Sequence, residues 1–324
     1  MTHLKTMQEQ IIEFLKESQG YISGEEISKS LNISRAGIWK YIQDIKEQGY
    51  DVVAVPHLGY KLVSVPDKLF VHEIQFGLGT QILGKKIIYY ETVDSTMDVA
   101  FRLGSEGAAE GTVVIAEGQT KGRGRRGRTW LSPKGKGIYF SIILRPELMP
   151  NEIARLTLLS AVAVAQAIKK LAAVNVAIKW PNDLLIDDKK VAGILTELSA
   201  EADLVKFVVV GIGVNVNSLS GHLPDGATSL RKEAKGPISR LELTKEILRE
   251  MEGRYLELQT KGFLPIAKAW KDLSMTLNKR VKVVDPSETV EGTAIDIDGD
   301  GGLLLRKDSG VIIKKMAGDV VQIR

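Results

Sequence analysis

The sequence contains no cysteine, which excludes disulfides, thiolate metal sites and any enzyme-bound thioester. Histidine is nearly as scarce, and His3, His57, His72 and His222 are scattered without ligand spacing. No dedicated protein site for a transition metal is therefore expected. No run of 18 apolar residues occurs, and the polar opening MTHLKTMQEQ lacks the apolar core of a signal peptide. These absences predict a cytoplasmic protein with no membrane partner. Charge of one sign is also in short supply: 44 Lys and Arg face 40 Asp and Glu, a net +4 that permits an anionic partner without demanding one. What is present is 324 residues, 44% hydrophobic and 26% charged, enough for two or three domains with cores of their own.

The basic excess has an address. Residues 117–136 carry Lys121, Arg123, Arg125, Arg126, Arg128, Lys134 and Lys136 against Glu117 alone, so the rest of the chain is slightly acidic. Glycines at 122, 124, 127, 135 and 137 make this segment too flexible for a regular element in the absence of a ligand. It reads as a loop that closes around an anion.

Along the chain, helical spacing over residues 6–19 places Met7, Ile11, Ile12 and Leu15 on one face. Ser23 and Glu26 form a capping box for a short helix with Ile27 and Leu31, Asn32-Ile33 makes a tight turn, and Ser34 caps a third helix to about Glu47. The stripe of that helix is Ile38, Tyr41, Ile42 and Ile45, and Gly49 ends it. Two β patterns, Asp51-Val55 and Gly59-Ser64, then predict a hairpin. Helix, helix, turn, helix, hairpin is the order of a winged helix-turn-helix. Its third helix would offer Ser34, Arg35, Trp39 and Lys40 to DNA. Residues 1–65 nevertheless hold seven basic and eight acidic residues, so charge lends DNA binding no support, and a protein-contact role stays open.

After the break at Val65-Pro66-Asp67, strands are expected at Ile87-Glu91, Thr112-Gln119, Ile138-Leu144, Val176-Lys179, Lys190-Leu198 and Lys206-Val214. Helices are expected at Ser95–Leu103, Glu152–Ala172 and Arg240–Gln259. Strands grouped between helices predict a mixed sheet and no doubly wound architecture. Five short β runs from Arg280 to Ile323 predict a small barrel. The expected organisation is therefore multidomain α+β: a winged helix-turn-helix at 1–65, a mixed-sheet α/β catalytic domain at 66–275 and an SH3-like small β-barrel at 276–324.

Gly122–Gly127 fits G-x-G-x-x-G, but arginines fill its variable positions and Thr129-Trp130-Leu131-Ser132-Pro133 follows where a dinucleotide fold needs a helix. Guanidiniums on a flexible chain fork onto carboxylate or phosphate oxygens. A nucleic-acid-binding RGG-like strand remains the competing reading of this loop. In Lys179-Trp180-Pro181-Asn182-Asp183 the proline forces the chain out of a ladder. Gly193 and Gly211, inside apolar strands, mark places where something approaches the backbone.

GRGRRGR (122–128), KWPND (179–183), KKVAGIL (189–195) and GIGVNVN (211–217) together resemble the biotin protein ligase family, in order and spacing. The likeness spans the chain, because bifunctional members combine a winged helix, a ligase domain of the biotin/lipoate type and an SH3-like barrel. The resemblance implies an AMP-forming ligase that turns biotin and MgATP into biotinyl-5′-adenylate and then biotinylates a lysine of biotin carboxyl carrier protein. By family position, Arg123, Arg125 and Lys190 would hold the biotin carboxylate and phosphates, Lys179 would neutralise phosphate, and Asn182 and Asp183 would arrange phosphate, metal or the incoming lysine. Ser95, Thr96 and Gln119 would bond the ureido ring, with Gly122, Gly124, Gly193 and Gly211 admitting the ligand to the backbone. Arg128, Trp130 and Asn215 would meet the nucleotide, while Met97 departs from the polar residue of some relatives. The resemblance further implies a homodimer, favoured by the adenylate, that binds operator DNA. The alternatives are a ligase whose winged helix binds no DNA and a biotin sensor without turnover.

Two other features are set aside. Asp296, Asp298, Asp300 and Gly301 imitate half an EF-hand, but Lys307 stands where Glu is required, so a hairpin turn is expected. Trp39 and Trp270 read as packing residues, although Trp39 lies on the helix that would face DNA.

Overall fold

The computed structural model describes residues 5–18, 20–201, 204–219, 221, 223–285 and 288–323; His3, Gln19 and His222 lie outside them. The chain divides between Lys68 and Leu69 into two compact units.

The first unit runs α1 (Met7–Glu17), α2 (Gly24–Leu31), α3 (Arg35–Glu47), β1 (Asp51–Val55) and β2 (Gly59–Ser64). The Ser23–Glu26 capping box forms as expected, and Thr6 with Glu9 builds a second one on α1. Helix α1 stops at Glu17, where the Ser18 hydroxyl bonds the Leu15 carbonyl. Asn32, in the left-handed region at φ 52°, ends α2, and the Ser34 hydroxyl accepts the Gly37 amide at 3.1 Å to start α3. Ile11, Ile12, Leu15, Ile27, Ile38, Ile42 and Ile45 fill the core. Met7, Leu31 and Tyr41 are half-buried at its margin.

The second unit begins with α4 (Val71–Gln75), β3 (Ile87–Tyr90), α5 (Thr96–Ser105), β4 (Val113–Ala116), β5 (Gly137–Leu144) and α6 (Ala154–Ala172). It continues through β6 (Ala177–Lys179), β7 (Asp183–Ile186), β8 (Lys189–Glu201), β9 (Leu204–Asn215), α7 (Leu230–Glu233), α8 (Arg240–Lys261) and α9 (Leu264–Leu273). These strands form one sheet in the order β3-β4-β5-β9-β8-β7-β6, parallel only at β3/β4. Ile138, Phe140, Ile142, Val210 and Ile212 face α6 and α8. Ile143 and Val209 point the other way, against Met97 and Ala100 of α5. Strand β4 ends three residues sooner than its pattern suggests, because Glu117 turns into a buried pair with Arg240.

Last come β10 (Arg280–Val284), β11 (Thr289–Ile297), β12 (Leu303–Arg306), β13 (Ile312–Lys315) and β14 (Asp319–Gln322). They pair antiparallel as β13-β12-β11-β10-β14, and among the described residues no ladder joins the edges β13 and β14. Val281, Val283 and Leu303 belong to the same hydrophobic core as the seven-stranded sheet. The acidic 296–301 segment is a hairpin turn in which the Asp298 carboxylate accepts the amides of Asp300 and Gly302. No described helix is long and apolar enough to cross a membrane.

Candidate active site

Residues opposed across a ladder share a face. The register Lys179↔Asp183, Asp183↔Gly193, Gly193↔Gly213 and Gly213↔Tyr139 therefore lays one row across five strands, on the face that carries α5. Two glycines sit side by side in this row, and Gly211 lies two residues on, beside Ser141 and Leu195. The missing side chains make a trough. The Trp130 indole rests in it: a Cβ on Gly213 would lie 2.5 Å from Trp130 Nε1, and one on Gly193 3.0 Å from Cζ3. Lys190 Nζ stands 5.3 Å from the indole centroid and 2.6 Å from Asp183.

The arginine segment contains one short regular turn and otherwise no helix or strand. Arg125–Gly127 forms one 3-10 turn, with Arg126 left-handed at φ 55°. Gly124 N donates to Arg128 O at 2.7 Å and Trp130 N to Gly122 O at 2.8 Å, closing the loop on itself. Its cations are also tethered. Arg123 forks onto Glu197 at 2.7 and 2.9 Å and reaches Asp98 at 2.7 Å. Arg126 and Arg128 both pair with Asp319. Arg125 donates instead to the neutral Asn182 Oδ1 at 3.0 Å and Gly318 O at 3.3 Å. Of these four arginines it alone has no carboxylate partner among the described residues, and burial pushes its guanidinium below the ordinary value.

One cavity gathers Thr96, Gln119, Arg123, Gly124, Arg125, Arg128, Trp130, Asn182, Asp183, Lys190, Gly193 and Gly211. Ser95, Gly122, Lys179 and Asn215 are not among its lining residues. Lys179 is half-buried on the edge strand β6, and Asn215 stands in the β5/β9 ladder. Gly122 acts one layer back, where a Cβ would collide with Trp130 O and Ser132 Oγ. Gln119 and Thr96 are engaged with each other: Gln119 Oε1 accepts the Thr96 amide at 2.8 Å, while its Nε2 donates to Ser132 Oγ at 2.9 Å. The buried Ser95 hydroxyl and Trp130 Nε1 have no partner among the described residues. Asn182 Nδ2 ties the KWPND turn to Ile194 O at 2.8 Å.

The cavity also contains Met97 and Gly213, to which the sequence assigned no ligand contact, and Asp319, on which it gave no reading. Gly213 was detectable, since it alternates with Gly211 on one strand face. Asp319, far along the chain, gave no signal. Met97 packs its sulfur where a Gly211 side chain would stand.

In the first unit, Lys40 is exposed and Trp39 is 60% exposed, so Trp39 is not a packing residue, whereas Trp270 is fully buried. Arg35 is held by Glu25 at 2.7 Å, and the Ser34 hydroxyl is engaged as a helix cap.

The fold and cavity together define a winged helix joined to a domain that binds a carboxylate- or phosphate-bearing ligand. The profile of the Biotin/lipoate A/B protein ligase family matches residues 89–215, an HTH domain matches 7–61 and the biotin protein ligase C-terminal domain matches 276–321. The sequence is 41% identical over 311 residues to the Bifunctional ligase/repressor BirA of Bacillus subtilis, covering 94% of this chain and 96% of that one. It is 33% identical to that of Escherichia coli, covering 92% of each. The biotin protein ligase of Aquifex aeolicus solved with biotin and ATP superposes at TM-score 0.64 with 30% identity, over 74% of this chain and 99% of that one. The chain belongs to the biotin protein ligase family.

Proposed function

We propose that the protein activates biotin with ATP and transfers it to a lysine of biotin carboxyl carrier protein. A biotin carboxylate oxygen attacks the α-phosphorus, and pyrophosphate leaves. The acceptor amine then attacks the acyl carbon, loses a proton and forms the amide as AMP departs. The observation that carries this reading is Arg125, a half-buried cation with no carboxylate partner among the described residues, in a cavity that also holds Lys190. Bringing two anions together requires positive charge placed in advance where negative charge develops. Arg125 and Lys190 supply it, and Trp130 offers an indole face to the adenine on the glycine floor.

The acid side chains suit Mg2+ held chiefly by nucleotide phosphates: Asp183 lines the cavity, and no cluster of three acidic or histidine ligands exists among the described residues. Asp183 would hold the ion, which when bound neutralises phosphate charge. Asn182 orients Arg125, and the loop covering the cavity keeps water from the mixed anhydride. The work belongs to the cytoplasm. Biotin-dependent exchange of pyrophosphate into ATP tests this reading, and its absence from the wild-type protein overturns it.

The same protein represses transcription as a dimer favoured by bound adenylate, with α3 in the major groove of each half-site. A ligase without DNA binding is the second reading, favoured by the Arg35–Glu25 pair and the engaged Ser34. A gel shift on the organism's biotin-gene promoter, with and without biotin plus ATP, separates the two.

A further inference from the structure

We infer that Asp319 is a positioning residue of the C-terminal sheet, holding the arginine loop so that Arg125 meets the ligand; the inference rests on the ligase reading above. A carboxylate in a phosphate-binding cavity repels the ligand unless it is neutralised. Asp319 is neutralised twice, by Arg126 at 3.3 Å and by Arg128. The next residues of the sheet complete the hold: Arg126 donates to Val284 O at 3.2 Å, and Arg125 to Gly318 O at 3.3 Å. Three consecutive cations of the loop are thus fixed from β10 and from the start of β14. Arg126 is in the left-handed region at φ 55°, a conformation a non-glycine residue keeps only when its surroundings enforce it. Two bonds from the sheet do so.

The consequence is a division of labour. Glu197 and Asp98 occupy Arg123, Asp319 occupies Arg126 and Arg128, and Arg125 alone of the four makes no ion pair among the described residues. Asp319 thereby acts through the arginines, and its removal loosens the loop without altering the groups that touch the reacting atoms.

The test is steady-state exchange kinetics with the half-life of bound biotinyl-adenylate in full-length Asp319→Asn, Asp319→Glu and Arg126→Gln. Asp319→Asn is expected to raise KM for ATP and shorten the adenylate half-life by about fivefold or more, with kcat within about twofold. Asp319→Glu should restore most of both. Arg126→Gln, which cuts the same contact from the loop side, should reproduce part of the effect, and the double variant should fall short of the sum. Asp308→Asn, in an exposed pair with Arg280 on the same sheet, serves as the unaffected control. Asp319→Asn with unchanged KM and retention overturns the inference, as does tighter ATP binding, which would make Asp319 a competitor of phosphate. Wild-type protein inactive in exchange would instead remove the ligase reading itself.

Discussion

At the scale of single residues, the site depends on what is missing from positions 193, 211 and 213. A side chain at Gly213 meets the Trp130 indole at 2.5 Å, closer than any relaxation of a ring wedged in a trough absorbs. Gly213→Ala should therefore lift Trp130 and raise KM for ATP by about tenfold, roughly the loss of one good aromatic contact. Biotin affinity measured calorimetrically without nucleotide should hardly change. Gly193 and Gly211 were legible from sequence, because glycine inside an apolar strand signals close approach. The occupancy of each arginine was not legible. The sequence shows four guanidiniums in one loop, but which of them lacks a carboxylate depends on Glu197, Asp98 and Asp319 arriving from three different elements.

At the scale of elements, local signals that satisfy backbone donors were the readable ones. The capping box of α2 and the Ser34 cap of α3 lie where the sequence puts them. Strand β7 carries no expectation of its own, because four residues close after a proline hold too little periodicity, and neither does α9, although Pro265 opens its first turn. The early end of β4 comes from tertiary structure. Glu117 accepts the Leu69 amide and an Arg240 guanidinium, each at 2.7 Å, and both charged side chains are almost fully buried. Removing one partner strands the other charge in the interior. Glu117→Ala should cost about 3–5 kcal/mol in urea unfolding, the range for a broken buried pair.

At the scale of the whole molecule, the small net charge concealed a separation of tasks. The basic excess lies in the arginine loop, where several carboxylates neutralise most of it, while the winged helix is nearly neutral. On α3 it exposes Trp39 and Lys40 beside Arg35, which Glu25 holds, and Lys46 in the last turn. DNA binding in such a unit depends on a few placed contacts repeated by symmetry. Trp39→Ala should weaken the adenylate-dependent gel shift by about tenfold, within the range for one base-reading contact. Exchange activity should be retained. The succession of helical unit, mixed sheet and last five-stranded sheet was legible because each stretch has its own periodicity. The single core shared by the seven-stranded and C-terminal sheets was not, since no pattern within one segment reports on its neighbour.

The central claim, that Arg125, which has no carboxylate partner among the described residues, holds the activated ligand, is tested most directly by the half-life of biotinyl-adenylate on Arg125→Ala beside wild type. Arg125 donates to two neutral oxygens and supports no buried pair, so the variant should fold with an unchanged melting temperature. Its adenylate should leave about 100-fold faster or more, the scale for removing one donor from a charge-stabilising site. A folded variant that keeps the adenylate as long as wild type would contradict the account.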